Sequence, residues 1–321
     1  MNTMTTTRRG GFSLIELLAV ISILALLMAI AAGAYFRIRS SQDQTNTEAT
    51  MEKVNTGIDR KWKAVVDQAK DEVKQEQLPE VRALVNALGG NKEFALPIWI
   101  YYRLRYEFPT TFAEARNPVN LTSLGIVLPP PQRTIFAASP IGSLPATGIG
   151  TPEEQSAACL YVSLTQSGNR GETFGSDGTQ NQSVDYTFTG TTTKVKVFVD
   201  AWGHPIAFCR LCYGPGSEVQ SAPYSRLTIH KDPLDPIGQI ERFASSSVAN
   251  RATVNFIWNK LHEFHMTVGG VSPVPATYPL PAQNWVPTVI SAGKNKTFGA
   301  GIGSDDDLLS YRLRREGSKG D

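Results

Sequence analysis

Two hydrophobic patterns follow one another at the start of this chain. From Phe12 to Phe36 nearly every position is apolar, and Glu16 is the one side chain there that is charged at neutral pH. Held as a helix at about 1.5 Å per residue, such a run crosses a hydrocarbon layer of roughly 30 Å, so the pattern predicts a membrane-spanning segment. The uniform run then gives way to a one-sided stripe, with Met51, Val54, Ile58, Trp62, Val65, Ala69 and Val73 recurring at steps of three and four. Both patterns fit one helix from Phe12 to about Gln77, roughly 100 Å long and ended before Pro79. Residues 12–36 form its membrane half, and residues 37–78 its soluble half, whose stripe is expected to cover a sheet. Gly33 and Gly57 are the positions where this helix has room to bend.

A second, shorter helix is expected over Glu80–Leu88, where Val81, Leu84, Val85 and Leu88 share a side and Gly89-Gly90 is the stop. Aromatic residues crowd the next stretch: Phe94, Trp99, Tyr101, Tyr102, Tyr106 and Phe108. From residue 117 to 180, including Pro129-Pro130-Pro131, no period is sustained, so a loop-dominated insertion is expected. Strand-like runs follow at Val184–Thr189, Lys194–Val199, Pro205–Phe208, Arg226–His230 and Trp285–Ser291. A helix is expected over Val254–His265, and a Pro-rich segment over 271–287. The fold class is thus α+β: a long N-terminal α-helix on a small antiparallel β-sheet with long irregular insertions.

Charge narrows the range of functions. Across 321 residues, 31 Lys and Arg face 29 Asp and Glu, a formal net charge of +2, so no nucleic acid is expected as partner. Arg103 and Arg105 lie within the aromatic stretch, yet without a wider basic surface those rings are read as core packing. A 41% hydrophobic share is enough for a folded core. Arg8 and Arg9 before the apolar run and Arg37 and Arg39 after it are equal in number, so charge alone leaves the span without an orientation.

The residues around that run carry a family resemblance. Gly10-Gly11-Phe12-Ser13-Leu14-Ile15-Glu16-Leu17-Leu18, preceded by Arg8-Arg9, resembles the prepilin leader of type IV pilins and type II secretion pseudopilins. The resemblance implies a leader over residues 1–11 and cleavage by prepilin peptidase between Gly11 and Phe12, with methylation of Phe12. It also implies a single-pass inner-membrane protein whose region 79–321 faces the periplasm or exterior. A carboxylate at the centre of a membrane helix costs about 2.5–3.5 kcal/mol, so Glu16 needs a partner or must stay near the interface. The new amine of a neighbouring Phe12 is such a partner, and pairing with it would set the stagger between subunits in a filament. The bland alternative has Glu16 reaching the headgroups.

Two later passages extend the resemblance. Asp200-Ala201-Trp202-Gly203-His204-Pro205 is similar to a turn of the major pseudopilins, with Ala201 in place of their usual first proline. Here Gly203 suits positive φ, and Trp202 is the expected anchor on the long helix. The segment from Ser291 to Asp307 resembles their calcium loop, which implies Ca2+ held by Ser291, Asn295, Asp305, Asp306 and Asp307. Calcium takes six to eight oxygen ligands, and three adjacent carboxylates with loop carbonyls supply that chemistry.

Other residues leave alternatives open. Cys209 and Cys212 suit a disulfide in an oxidising compartment, or, with His204 and Cys159, a zinc site. His262-Glu263-Phe264-His265 lacks the spacing of a zinc-protease helix and reads as the polar side of a helix. The resemblance implies a non-enzymatic subunit of a type II secretion pseudopilus that self-assembles with minor pseudopilins, an inner-membrane platform and an ATPase. The alternatives are a type IV pilus subunit, or a single-span anchor carrying a binding domain or enzyme.

Overall fold

The computed structural model describes residues 14–131, 136–165, 183–211, 234–265, 287–298 and 307–310. The chain divides into two compact units, residues 1–45 and 46–321, each described here by itself. One helix, α1 (Leu14–Gln75), contributes to both; it is already helical at the first described residue and ends two residues short of the expected Gln77.

In the first unit α1 is apolar and uncovered. Leu14, Ile15, Leu17, Leu18, Met28 and Phe36 are all more than half exposed, and α1 is long and apolar enough to cross a membrane. Ser22 Oγ returns a hydrogen bond to the carbonyl of Leu18 (2.8 Å), so this polar side chain spends its donor within the helix.

The second unit is built around the other part of α1. Met51, Val54, Ile58, Val65, Ala69 and Val73 are all buried, as the stripe requires, and Trp62 is partly buried against them. Helix α2 (Pro79–Ala87) opens with proline at its first position, where no amide hydrogen is missed, and closes on Gly89 and Gly90 at φ of 75° and 76°. The aromatic stretch is helix α3 (Lys92–Glu107), capped by Asn91, whose side chain accepts from the Glu93 amide at 2.8 Å.

Much of the expected insertion is ordered structure. Helix α4 (Phe112–Arg116) leads into hairpin β1 (Val119–Leu121) and β2 (Ile126–Leu128), with Val119 opposite Leu128. Helix α5 (Pro152–Thr165) starts with a reciprocal cap: Glu154 Oε2 accepts from the Thr151 amide at 2.8 Å, and Thr151 Oγ1 from the Glu154 amide at 3.3 Å. The expectation of a loop fails here for a physical reason. Leu160 and Leu164 of α5 face one core cluster, while Ala157, Ala158, Cys159 and Val162 face another built with Phe112, Phe136, Phe188 and Val197. A helix covered on opposite sides has no polar face to give it a period.

The described strands form three small antiparallel sheets where the sequence suggests one. β3 (Ser183–Thr187) pairs with β4 (Lys194–Phe198), Ser183 opposite Phe198. β5 (Ala207–Cys209) pairs with β6 (Thr288–Ser291), which also pairs with β7 (Leu308–Leu309). Helices α6 (Gln239–Ser246) and α7 (Val248–His262) complete the unit; the pattern marks only the second, and places its start six residues late. The expected strand Arg226–His230 and most of the Pro-rich 271–287 segment lie outside the described residues. The α+β architecture holds, with the α1 stripe sharing one core with α3, α5 and strand residues Val119, Ile126, Phe198 and Val289.

Candidate functional site

Assembly chemistry is expected at the N-terminus. Gly11 and Phe12 lie outside the described residues. Glu16 lies in the first turn of α1 and is exposed, where the helix dipole favours a negative charge. The described side chains of α1 around it are apolar and exposed, so this carboxylate stands out as a charged group on an otherwise lipid-compatible surface.

Asp200 organises the turn in the second unit. Its side chain is buried; Oδ1 accepts from the amides of Trp202 (3.0 Å) and His204 (2.8 Å), and Oδ2 accepts from the hydroxyl of Ser291 (2.7 Å). The Asp200 amide donates to the His204 carbonyl at 2.9 Å, and Gly203 takes φ of 78° as the turn requires. The connection to α1 differs from expectation. Trp202 is only partly buried, and it is the Ala201 amide that reaches the helix, donating to Thr47 Oγ1 at 3.0 Å.

The same geometry joins the two passages that resemble pseudopilins. Ser291 donates to Asp200, and the rings of His204 and Phe298 meet edge to face at 6.0 Å. Ser291 Oγ also accepts from the Gly293 amide at 3.2 Å, so this expected calcium ligand already makes two hydrogen bonds. Asn295 is exposed with its Oδ1 accepting from the Thr297 amide, Asp307 is buried, and Asp305 and Asp306 lie outside the described residues. Among the described residues no group of three or more His, Cys, Asp or Glu is placed to hold a metal ion. The calcium set therefore depends on Asp305 and Asp306.

The zinc alternative loses support by the same criterion, since Cys159, Cys209 and His204 do not come together as a metal-binding group. Cys212, the other half of the expected disulfide, lies outside the described residues, and Cys209 is buried in β5. Burial pushes the Cys159 thiol well up, with the charge of Glu114 adding to the effect, so it stays protonated and unreactive.

A cluster that no local pattern announces lies deeper. Glu114, Arg210 and Arg105 are 0, 1 and 2% exposed. Arg210 grips Glu114 with two bonds, Nη2 to Oε1 at 2.7 Å and Nη1 to Oε2 at 3.0 Å, while Arg105 Nε stands 3.5 Å from Oε1. Thr110 adds its amide and hydroxyl to Glu114 Oε2. Burial pushes the Glu114 carboxyl up, but Arg210, its hydrogen bonds and Arg105 outweigh that and hold it down at about 2. The Thr111-x-x-Glu114 spacing is that of a helix cap and gives no sign of the cluster. Thr111 Oγ1 does accept from the Glu114 amide at 3.1 Å, but the Glu114 carboxylate, in place of the Thr111 amide, takes Thr110 and Arg210 as partners.

Comparison with known proteins bears on one end of the chain. No curated protein and no solved structure matches it. Residues 6–32 match the family model described as the prokaryotic N-terminal methylation motif, and with the apolar start of α1 this supports a membrane-anchored, type IV pilin-like precursor of the kind processed by prepilin peptidase.

Proposed function

We propose that the protein is a structural subunit of a pseudopilus, the pilus-like filament of a type II secretion-like system. The observation that carries the proposal is continuity: the methylation motif over 6–32 runs directly into a helix that is unbroken from Leu14 to Gln75. A subunit so built is stored in the inner membrane by its apolar half, cut after Gly11, methylated at Phe12 and drawn into a filament by an ATPase-driven platform. Packed α1 helices then replace lipid around Leu14–Ile38, and Glu16 meets the Phe12 amine of a neighbour. The secretion reading, in preference to a surface pilus, is supported by the Asp200-centred turn and its link to Ser291. Calcium is part of the proposal, with Ser291, Asn295, Asp305, Asp306 and Asp307 as the residues that would hold it.

Intact mass and N-terminal sequencing from native membranes, with and without prepilin peptidase, test the processing. A start at methylated Phe12 only when the peptidase is present is expected; a start at Met1, or beyond Phe36, favours an anchored or secreted domain instead. Glu16→Ala should still insert and be cleaved yet assemble poorly, and normal filaments from that variant would remove the staggering role. For calcium, the expected result is a melting temperature that rises with Ca2+ and falls with chelator in the full chain, but not in Asp306→Asn. An unchanged melting temperature in the parent chain would remove the ion.

A further inference from the structure

The C-terminal end of α7 is held at two backbone carbonyls. Arg105 Nη1 donates to the carbonyl of Lys260 at 2.9 Å, and Thr111 Oγ1 donates to the carbonyl of Phe264 at 2.8 Å. Between these two ties lies His262, and its setting is the reverse of the polar helix side expected from its sequence. Its ring stacks on Trp258 with centroids 4.1 Å apart and meets the edge of Tyr101 at 6.0 Å. Part of the residue reaches solvent, yet both ring nitrogens are sealed and have no hydrogen-bond partner among the described residues.

The charges around this ring are unbalanced. From α3 comes Arg105, whose Nη2 is also buried without a hydrogen-bond partner among the described residues, and from the end of β5 comes Arg210. From α4 comes Glu114, the one buried carboxylate in the cluster, already engaged by both guanidinium groups. From α7 and the turn that follows it, His265 lies 6.1 Å away ring to ring, while Lys260 and Glu263 pair with each other at 3.0 Å on the solvent side. Two buried cations thus share one carboxylate, so a metal ion is an unfavourable occupant and a further proton on His262 is a third positive charge for which no buried carboxylate of the cluster is left among the described residues.

We propose that His262 is a pH-sensitive latch: neutral, it lets the end of α7 seat against α3 and α4; protonated, it releases that end. The step is the transfer of one proton from solvent hydronium to a ring nitrogen: one O–H bond breaks, one N–H bond forms and a water is left. Burial holds the His262 pKa well below the ordinary 6.5, and Arg210, His265 and Arg105 press in the same direction. The sign follows from linkage. The seated form disfavours the proton and the released form binds it near 6.5, so release is favoured as pH falls below about 6.5, by up to about tenfold per pH unit for one proton. This does not depend on the filament reading, because it concerns a contact within one chain.

The test is hydrogen exchange of the full chain in detergent micelles from pH 7.5 to 5.0, corrected for intrinsic rates. Protection of residues 254–262 is expected to drop by up to about tenfold between pH 6.5 and 5.5 while that of residues 51–73 in α1 holds. His262→Phe, which keeps a ring against Trp258 but cannot take a proton, should flatten the pH dependence; His204→Gln should leave it intact. The same slope in His262→Phe, or a loss of protection spread evenly over the unit, overturns the proposal. Should His262→Phe fail to fold, ring-labelled histidine spectra of the parent chain decide: His262 titrating together with the loss of protection supports the latch, and protection lost while it stays neutral overturns it.

Discussion

Along a single helix, Leu14, Ile15 and Phe36 are 82, 75 and 67% exposed, whereas Thr47, Thr50, Asn55 and Lys61 are all 9% exposed or less. Apolar residues stand open in one unit and polar residues are buried in the other. The difference lies in what covers α1. Around residues 14–38 no other described part of its own unit does so; beyond residue 46 the chain folds back and supplies specific partners. Lys61 shows how specific they are. Its ammonium donates to the Ser163 carbonyl at 2.8 Å, pairs with Glu107 at 3.1 Å and lies over the Phe108 ring at 5.0 Å. Burial lowers its pKa against the pull of Glu107, so the protein tolerates the desolvation of a cation in order to join α1 to α3 and α5.

That contrast can be broken by matched substitutions. Ile58 is fully buried and Ile23 is 59% exposed, so Ile58→Ala should lower the stability of the globular unit by about 2–5 kcal/mol. Ile23→Ala should leave denaturant unfolding of that unit unchanged and act only on membrane retention or assembly. Equal effects of the two on unfolding would mean that the halves are not distinct environments.

A smaller effect belongs to Glu114 and separates the globular unit by pH. Its folded pKa of about 2 lies below the ordinary 4.5, so its contribution is present above 4.5 and is lost as pH falls toward 2. The amount is about 3 kcal/mol, and acid unfolding curves should lose this step in Glu114→Gln. Its onset, near 4.5, lies below the onset near 6.5 assigned to His262, and Glu114→Gln and His262→Phe tell the two apart.

The smallest change sharpens the boundary itself. Thr47 is the buried residue closest to the start of the second unit, and its hydroxyl receives the Ala201 amide. Thr47→Val keeps the shape and removes the acceptor, so about 1 kcal/mol should be lost, with faster exchange at Ala201 as the local readout. An unchanged exchange rate there would show that the turn is held by Asp200 alone.

How much of this was legible in the sequence varies with the range of the interactions. The Asp200 turn was visible because its contacts are local: Gly203 needs positive φ, and the Trp202 and His204 amides lie two and four residues from their acceptor. Its anchors were not visible. Nothing near Asp200 announces Ser291, 91 positions on, and nothing near Thr47 announces a partner 154 positions away. Helix α5 was missed because periodicity reports a boundary between protein and water, and α5 lies between two apolar clusters. His262 was misread for the complementary reason, since a polar residue on a helix defaults to solvent until tertiary neighbours enclose it.

By itself, then, the sequence determined what local chemistry and helix geometry control: an apolar run long enough for a bilayer, the motif ahead of it, and the stripe from Met51 to Val73. Those depend on residues within a few turns of one another, where the 3.6-residue repeat and hydrophobicity are sufficient. Only the tertiary structure decided that Glu114 meets Arg210 across 96 positions, that Lys61 crosses to Ser163, and that the His262 ring packs on Trp258 and Tyr101 within the influence of two arginines. Such pairings are chosen by the whole core at once, because a buried charge can be placed only where every neighbouring element has already brought its partner.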